Sequence, residues 1–243
     1  MVFNIEASQA MLCVLFIILS YIIGSIPFGI LIGKGICHID IREHGSKNIG
    51  STNAIRVLGK KVGFLVFFCD VFKGMVVIIL LKILASANVW TTPIEYFFYG
   101  AAAIIGHCFS IFLGFKGGKA VATSLGVVLI LTPIPAVACL IVFLITLYTT
   151  GYVSLGSTFA TITVIASTWI LYFFGVEATS FWDYFISSPT LLVCILYSIL
   201  STLIILKHTK NYARLIKGTE SNFKKKKKEA KLLAEQQAQQ QAQ

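Results

Sequence analysis

The chain has 243 residues, of which 57% are hydrophobic and only 12% charged, and it carries a net charge of +10. This composition excludes an ordinary soluble domain and points to an all-α, polytopic integral membrane protein. Several apolar stretches exceed the roughly 18 residues that cross a bilayer core, which leaves no length for a separate soluble domain.

The N-terminal "MVFNIEASQA" has no basic region, and the apolar run from about 10 to 33 carries no small-residue cleavage signal. It reads as a retained helix rather than a removed signal peptide. Further apolar runs lie at about 62 to 84, 96 to 115, 118 to 149, 152 to 175 and 189 to 206. The run from 118 to 149 is too long for one crossing, and "TPIP" at 132 to 135 sets two prolines where a helix would have to continue, so it divides into two spans.

Lysine and arginine placement orients the spans, because short basic loops stay on the cytoplasmic side. Basic residues cluster from Lys34 to Lys61, at Lys116 and Lys119, and from Lys207 onwards, whereas the loops at 85 to 95 and 176 to 188 hold Glu95, Glu177 and Asp183 but no Lys or Arg. Seven spans, with the N-terminus outside and the C-terminus cytoplasmic, put all three clusters on the cytoplasmic face; six would leave the tail, with half of the basic residues, outside. The expected division is a seven-span domain over 1–217 and a disordered Lys/Gln-rich tail over 218–243. Lys224 to Lys228 in that tail read as an orientation signal or as a contact to anionic headgroups. No aromatic platform is interleaved with the basic clusters, which argues against nucleic acid. The six cysteines form no CxxC pair and read as small apolar packers.

Three stretches on the inferred cytoplasmic side break the apolar pattern. "DIREHGSKNIGSTNAIRVLG", residues 40 to 59, sets Gly45, Gly50 and Gly59 among Ser46, Asn48, Ser51, Thr52 and Asn53, with Arg42 and Arg56. Glycines let backbone N–H groups approach an anion and arginine supplies a planar fork for phosphate, although a tight polar turn would use the same residues. "GHCFSIFLGFKGGKAVATSLG", residues 106 to 126, places Gly117 and Gly118 before Lys119 and a helix start, an anion-binding combination without the spacing of a Walker loop. His107 there reads as a bundle histidine or as a ligand contact. In "KHTKNYARLIKGTESNF", residues 207 to 223, His208, Asn211 and Arg214 share a face if the last helix continues past Lys207. Such a face would serve either as a headgroup-binding helix or as a base with an orienting amide. Tyr152 and Ser154 reach the same side of the membrane under the seven-span count.

These stretches resemble the bacterial membrane acyl-phosphate:glycerol-3-phosphate acyltransferases, the PlsY family, through "GSIPFG", "GSKNIGSTNAIRVLG", "GHCFSIFLGFKGGKAVAT", "YVSLGS" and "HTKNYARLIKGTE" in order over most of the chain. The resemblance implies seven spans in the bacterial cytoplasmic (inner) membrane and a site facing the cytoplasm. It also implies acyl transfer from a long-chain acyl phosphate to the 1-hydroxyl of glycerol 3-phosphate, with membrane lipids as surroundings and no cofactor or metal. Carried over by motif, Ser46, Arg56, Lys119, His208 and Asn211 would be catalytic. Arg42, Gly45, Asn48, Gly50, Asn53, His107, Gly117, Gly118 and Ser154 would bind substrate, and Glu220 would be structural. Lys47 and Ala120 stand where the family often has glycine, Ser51 where it often has alanine, Ser110 where proline is common, and Gly151 where a basic residue is common. Lys47 argues against a left-handed turn at its position, and Ala120 is expected to crowd a helix contact.

An acyl phosphate is already activated, so the chemistry asks the protein to hold two repelling phosphates and bring a hydroxyl to a carbonyl. His208 or the donor phosphate would take the proton, with the donor phosphate favoured. The HxxxxD box of thioester-dependent acyltransferases is absent, since His38, His44, His107 and His208 are followed five residues on by Glu43, Ile49, Phe112 and Ala213. A transporter of organic phosphates would use the "TPIP" break, but no inverted repeat accompanies it.

Overall fold

The computed structural model describes residues 6–175 and 189–225 and, in the tail, residues 232, 235, 236, 239 and 240. The loop with Glu177 and Asp183, and Lys226 to Lys228, lie outside these residues. All regular structure among the described residues is helical.

The first apolar run, expected as one helix, is two: α1 (Ala7–Ser25) and α2 (Phe28–Cys37). Pro27 divides them, because it has no N–H and its ring excludes the carbonyl one turn back. The stretch from 40 to 59, expected as a loop, contains α3 (Ser51–Leu58) behind Gly50 at its N-cap. Ala54 of α3 is buried with Ile41 and Val66 in a small apolar core of its own, which anchors this segment on α4 (Lys60–Ser86). Next come α5 (Phe97–Cys108), a 3₁₀ turn at Ile111–Leu113, α6 (Val121–Leu131), α7 (Pro133–Thr150) and α8 (Val153–Phe174). The break expected in "TPIP" falls at Thr132, with Pro133 opening α7 as the first helical residue, where a missing N–H costs nothing. Two further helices, α9 (Leu191–Leu206) and α10 (Thr209–Ile216), follow and are bent by 46° relative to each other.

Among the described residues, four helices, α1, α4, α7 and α8, are long and apolar enough to cross a membrane, and α9 with α10 makes a fifth if the bent pair counts as one span. Helices α2, α5 and α6 are apolar but shorter. Large apolar side chains face outward along the long helices, for example Phe64, Phe68 and Phe72 on α4 and Ile141, Leu144 and Ile145 on α7, as a lipid-facing surface requires. Inside, Ile78, Leu81, Phe97, Tyr99 and Val127 form the main core, with Tyr197 stacked edge-on against Phe97 at 4.5 Å. Small residues let α4 and α6 touch: Gly74 abuts the carbonyl of Thr123 and Gly126 that of Val71, so that a methyl fits at neither place.

The expectation for Lys47 changes, and Ala120, expected to crowd a helix contact, shows an unusual backbone conformation as well. Lys47 does adopt the left-handed conformation, at φ 59°, and Ala120, 1% exposed, adopts it at φ 58° as the N-cap of α6. Both are positions where the turn asks for glycine and a side chain stands instead.

Candidate active site

The loop from 38 to 50 is built around one amide. Asn53, on α3 and 1% exposed, donates from Nδ2 to the carbonyls of Ile41, His44 and Asn48, and its Oδ1 accepts from the Ser46 N–H at 2.8 Å. Asn48 in turn caps the Gly50 N–H at 2.9 Å, and Gly45 sits at φ 62° with no room for a Cβ against Asn53. Asn53, Asn48, Gly45 and Gly50 therefore shape the loop that presents Ser46. Arg42 is held elsewhere: its guanidinium forks onto Asp40, which also pairs with Lys34 at 3.1 Å. The Arg42 fork holds the Asp40 carboxyl well below the usual range.

Arg56, half-buried on α3, belongs to a different cluster. Burial lowers its pKa, Glu220 opposes that and Arg214 reinforces it, so these charges stand within electrostatic reach of one another. Lys119 completes the group. Its ammonium donates to Asn211 Oδ1, Asn211 Nδ2 donates to Glu220 Oε1 at 2.8 Å, and Arg214 Nε donates to Glu220 Oε2 at 2.6 Å. Burial, outweighing Glu220 and helped by Arg214 and Arg56, brings the Lys119 pKa down to about 8. Burial pushes Glu220 up, but hydrogen bonds from Arg214 and Asn211 outweigh it and keep the carboxylate ionised.

The helix does not continue straight past Lys207 as expected. It breaks there, because α10 turns away by 46°, and His208 becomes the N-cap of α10, its carbonyl accepting from the Asn211 N–H at 2.8 Å. His208 and Asn211 still share one face. His208 Nδ1 lies 2.8 Å from the Ile204 carbonyl. A carbonyl only accepts, so Nδ1 carries the proton and Nε2 keeps its lone pair. Burial, then Lys119, brings the His208 pKa down to about 4, so the ring is neutral at pH 7.

Ser154 at the start of α8 is 3% exposed, and its hydroxyl faces the Glu220 carboxylate, whose ionised form it helps to favour. The segment after α10 closes the cluster. Phe223 N–H donates to the Gly151 carbonyl, Asn222 Nδ2 to that of Thr150 and Lys224 Nζ to that of Thr149, which straps residues 219 to 225 across the turn between α7 and α8. The boundary drawn at 217 from composition thus falls just before a packed segment.

Gly117 and Gly118 serve a second purpose. Gly118 donates its N–H to the His107 carbonyl at 3.0 Å, and its Cα lies against the His107 ring with no space for a Cβ. His107 is 5% exposed and sits with Thr123 and Asp70, which in turn pairs with Lys73. Asp70 and Lys73 were not singled out in the sequence, although two opposite charges three residues apart inside an apolar run were a signal.

An apolar cavity of about 110 Å³ lies among α6, α8 and α9, beginning at Val121, two residues after Lys119, and Ile204, one turn before His208. It is lined by Ala122, Leu125 and Val128 on α6, Thr161 and Val164 on α8, and Tyr197 and Ile204 on α9, among others. The polar cluster and the cavity share helical stripes. Ser154 lies on the stripe of Thr161 and Val164, His208 one turn beyond Ile204, and Lys119 just ahead of α6. A charged head standing on an apolar shaft has the outline of an amphiphile.

The glycerol-3-phosphate acyltransferase family model matches residues 14–218. The glycerol-3-phosphate acyltransferase of Acholeplasma laidlawii is 42% identical over 231 residues, covering 90% of this chain and 96% of that protein. That of Staphylococcus carnosus is 42% identical over 219 residues, covering 88% and 99%. The fold also matches the crystal structure of PlsY, an integral membrane glycerol 3-phosphate acyltransferase, in its glycerol 3-phosphate form. The TM-score is 0.70 at 36% identity over 86% of this chain and 94% of that one. With the family model and two near-full-length relatives agreeing, the chain belongs to the glycerol-3-phosphate acyltransferase family of enzymes.

Proposed function

We propose that the protein transfers a fatty acyl group from a long-chain acyl phosphate to the 1-hydroxyl of glycerol 3-phosphate, releasing lysophosphatidic acid and phosphate. The observation that carries this reading is the juxtaposition of Arg56, Lys119 and Arg214 around a single carboxylate, beside an apolar cavity reached along the same helix faces. Three cations against one carboxylate leave an excess of positive charge suited to phosphates, and the cavity suits the start of an alkyl chain. The match to PlsY crystal forms with glycerol 3-phosphate and with lysophosphatidic acid supports the acceptor and the product.

In this reading Arg56, Lys119 and Ser154 hold phosphate oxygens, Ser46 borders them, and Asn211 orients Lys119. Glu220 keeps Asn211 and Arg214 in place. The acceptor hydroxyl attacks the acyl carbon, the carbon–oxygen bond to phosphate breaks, and the proton ends on the departing phosphate. His208 accepts a hydrogen bond from that hydroxyl through Nε2; with a pKa of about 4 it is too weak a base to remove the proton outright. Substrate-assisted proton transfer follows. The protein is placed in the bacterial cytoplasmic membrane with seven spans, the N-terminus outside and the site facing the cytoplasm. In this arrangement α5 and α6, shorter than a full crossing, complete the count. Residues 1–217 form the membrane domain, and the residues beyond the 219–225 strap form a basic tail against anionic lipid.

The deciding experiment gives purified protein palmitoyl phosphate or palmitoyl-CoA with glycerol 3-phosphate, metals chelated. Lysophosphatidic acid from palmitoyl phosphate alone is expected. Product from palmitoyl-CoA alone, or from neither donor, overturns the assignment of donor.

A further inference from the structure

Asp70 and Lys73 are each 2% exposed in the middle of α4, with Lys73 Nζ 2.7 Å from Asp70 Oδ1. The ammonium has three neighbours: the paired Asp70 carboxylate, the Ile26 carbonyl, to which it donates at 2.8 Å, and the face of Phe28 at 5.6 Å from its centroid. Ile26 and Phe28 flank Pro27, so Lys73 grips the break between α1 and α2. At the second residue of α2, Gly29 abuts the Ile49 carbonyl, next to the loop that presents Ser46. On the other side Asp70 Oδ1 stands 3.7 Å from His107 Nδ1, which also meets Thr123 Oγ1 at 3.3 Å. His107 holds Gly118 through its carbonyl and its ring, and Lys119 follows directly.

We propose that the Asp70–Lys73 pair is a positioning element that sets the spacing between the Ser46 and Arg56 loop and Lys119, and so the distance at which two phosphates are held. This inference rests on the function proposed above. A buried ion pair gives little stability that apolar residues of the same volume would not, and a charge inside a membrane bundle is retained for what it organises. Neither residue touches substrate. The pair acts through the α1–α2 break and through His107.

The test compares wild type with Asp70→Leu/Lys73→Met and with Lys73→Arg, reading thermal stability, acyl transfer and calorimetric binding of glycerol 3-phosphate. The double apolar variant is expected to unfold at or above the wild-type temperature, yet to lose about a hundredfold in kcat/KM, since a misplacement of about 1 Å costs that much. Lys73→Arg keeps the charge but replaces the compact ammonium with a planar fork. It is expected to raise the KM for glycerol 3-phosphate several-fold more than it lowers kcat. Asp70→Glu should recover part of the activity. A stable double variant with normal kinetics, or Lys73→Arg with an unchanged KM, overturns the proposal. Should the double variant not fold, Lys73→Arg decides alone. Wild type that binds glycerol 3-phosphate without transferring an acyl group overturns the proposed reaction instead and leaves the binding comparison to decide; wild type that does not bind it overturns both.

Discussion

At the scale of single residues, the ionisation of Lys119 is the sharpest lever. Its folded pKa of about 8 lies below the ordinary 10.5, so the ammonium that meets Asn211 is lost as pH rises through 8. The KM for glycerol 3-phosphate should therefore climb above pH 8 in steady-state assays, and Lys119→Ala should abolish that dependence along with most activity. Stability runs the other way. Between pH 8 and 10.5 the unfolded chain binds more protons at this group, so its contribution to unfolding free energy rises with pH. For His208, with a folded pKa of about 4, the stability of the neutral ring is lost as pH falls from 6.5 towards 4. Lys47 offers a second residue-level expectation. Its φ of 59° costs a side-chain-bearing residue about 1–2 kcal/mol, against the extra backbone entropy of glycine, so Lys47→Gly should stabilise by about 0.5–1 kcal/mol in thermal melts.

At the scale of elements, the order of the polar stretches was legible, because glycine, arginine and histidine stand out against apolar helices. Their internal roles were not. Nothing in "GSKNIGSTN" separates Asn53, which staples four backbone groups, from Ser46, which the loop presents. Gly118 reads as a phosphate cradle until its N–H is seen on His107. Helix α3 escaped notice because its polar residues outweigh its short apolar face, and the α1–α2 break because Pro27 sits in an otherwise unbroken apolar run. Asp70 and Lys73 were absorbed into a span whose mean character is apolar, although their spacing already paired them. The strap from 219 to 225 is the element most open to test. A chain stopped after Lys225 should keep its activity, whereas one stopped after Lys217 loses Glu220 and Asn222 and should lose turnover by about a hundredfold or more, measured as phosphate release.

At the scale of the whole molecule, lengths alone identify four crossing helices among the described residues, or five with the bent pair, because α5 and α6 are apolar but shorter than a full crossing. The seven-span arrangement predicts opposite exposure for two turns. In a cysteine-free background, Asn88→Cys should react with an impermeant maleimide from outside intact cells and Lys116→Cys only from inverted vesicles. Labelling of both from one side would overturn the arrangement.

Glu220 has one further consequence, in the order of synthesis. It stands after the last apolar helix, yet it anchors Asn211 and Arg214 and borders Ser154 on α8. Synthesis runs from the N-terminus, so Glu220 is added only after Arg56, Lys119, Asn211 and Arg214 have all been polymerised. A nascent chain therefore carries the three cations without their carboxylate until the 219–225 segment emerges and packs across the turn between α7 and α8.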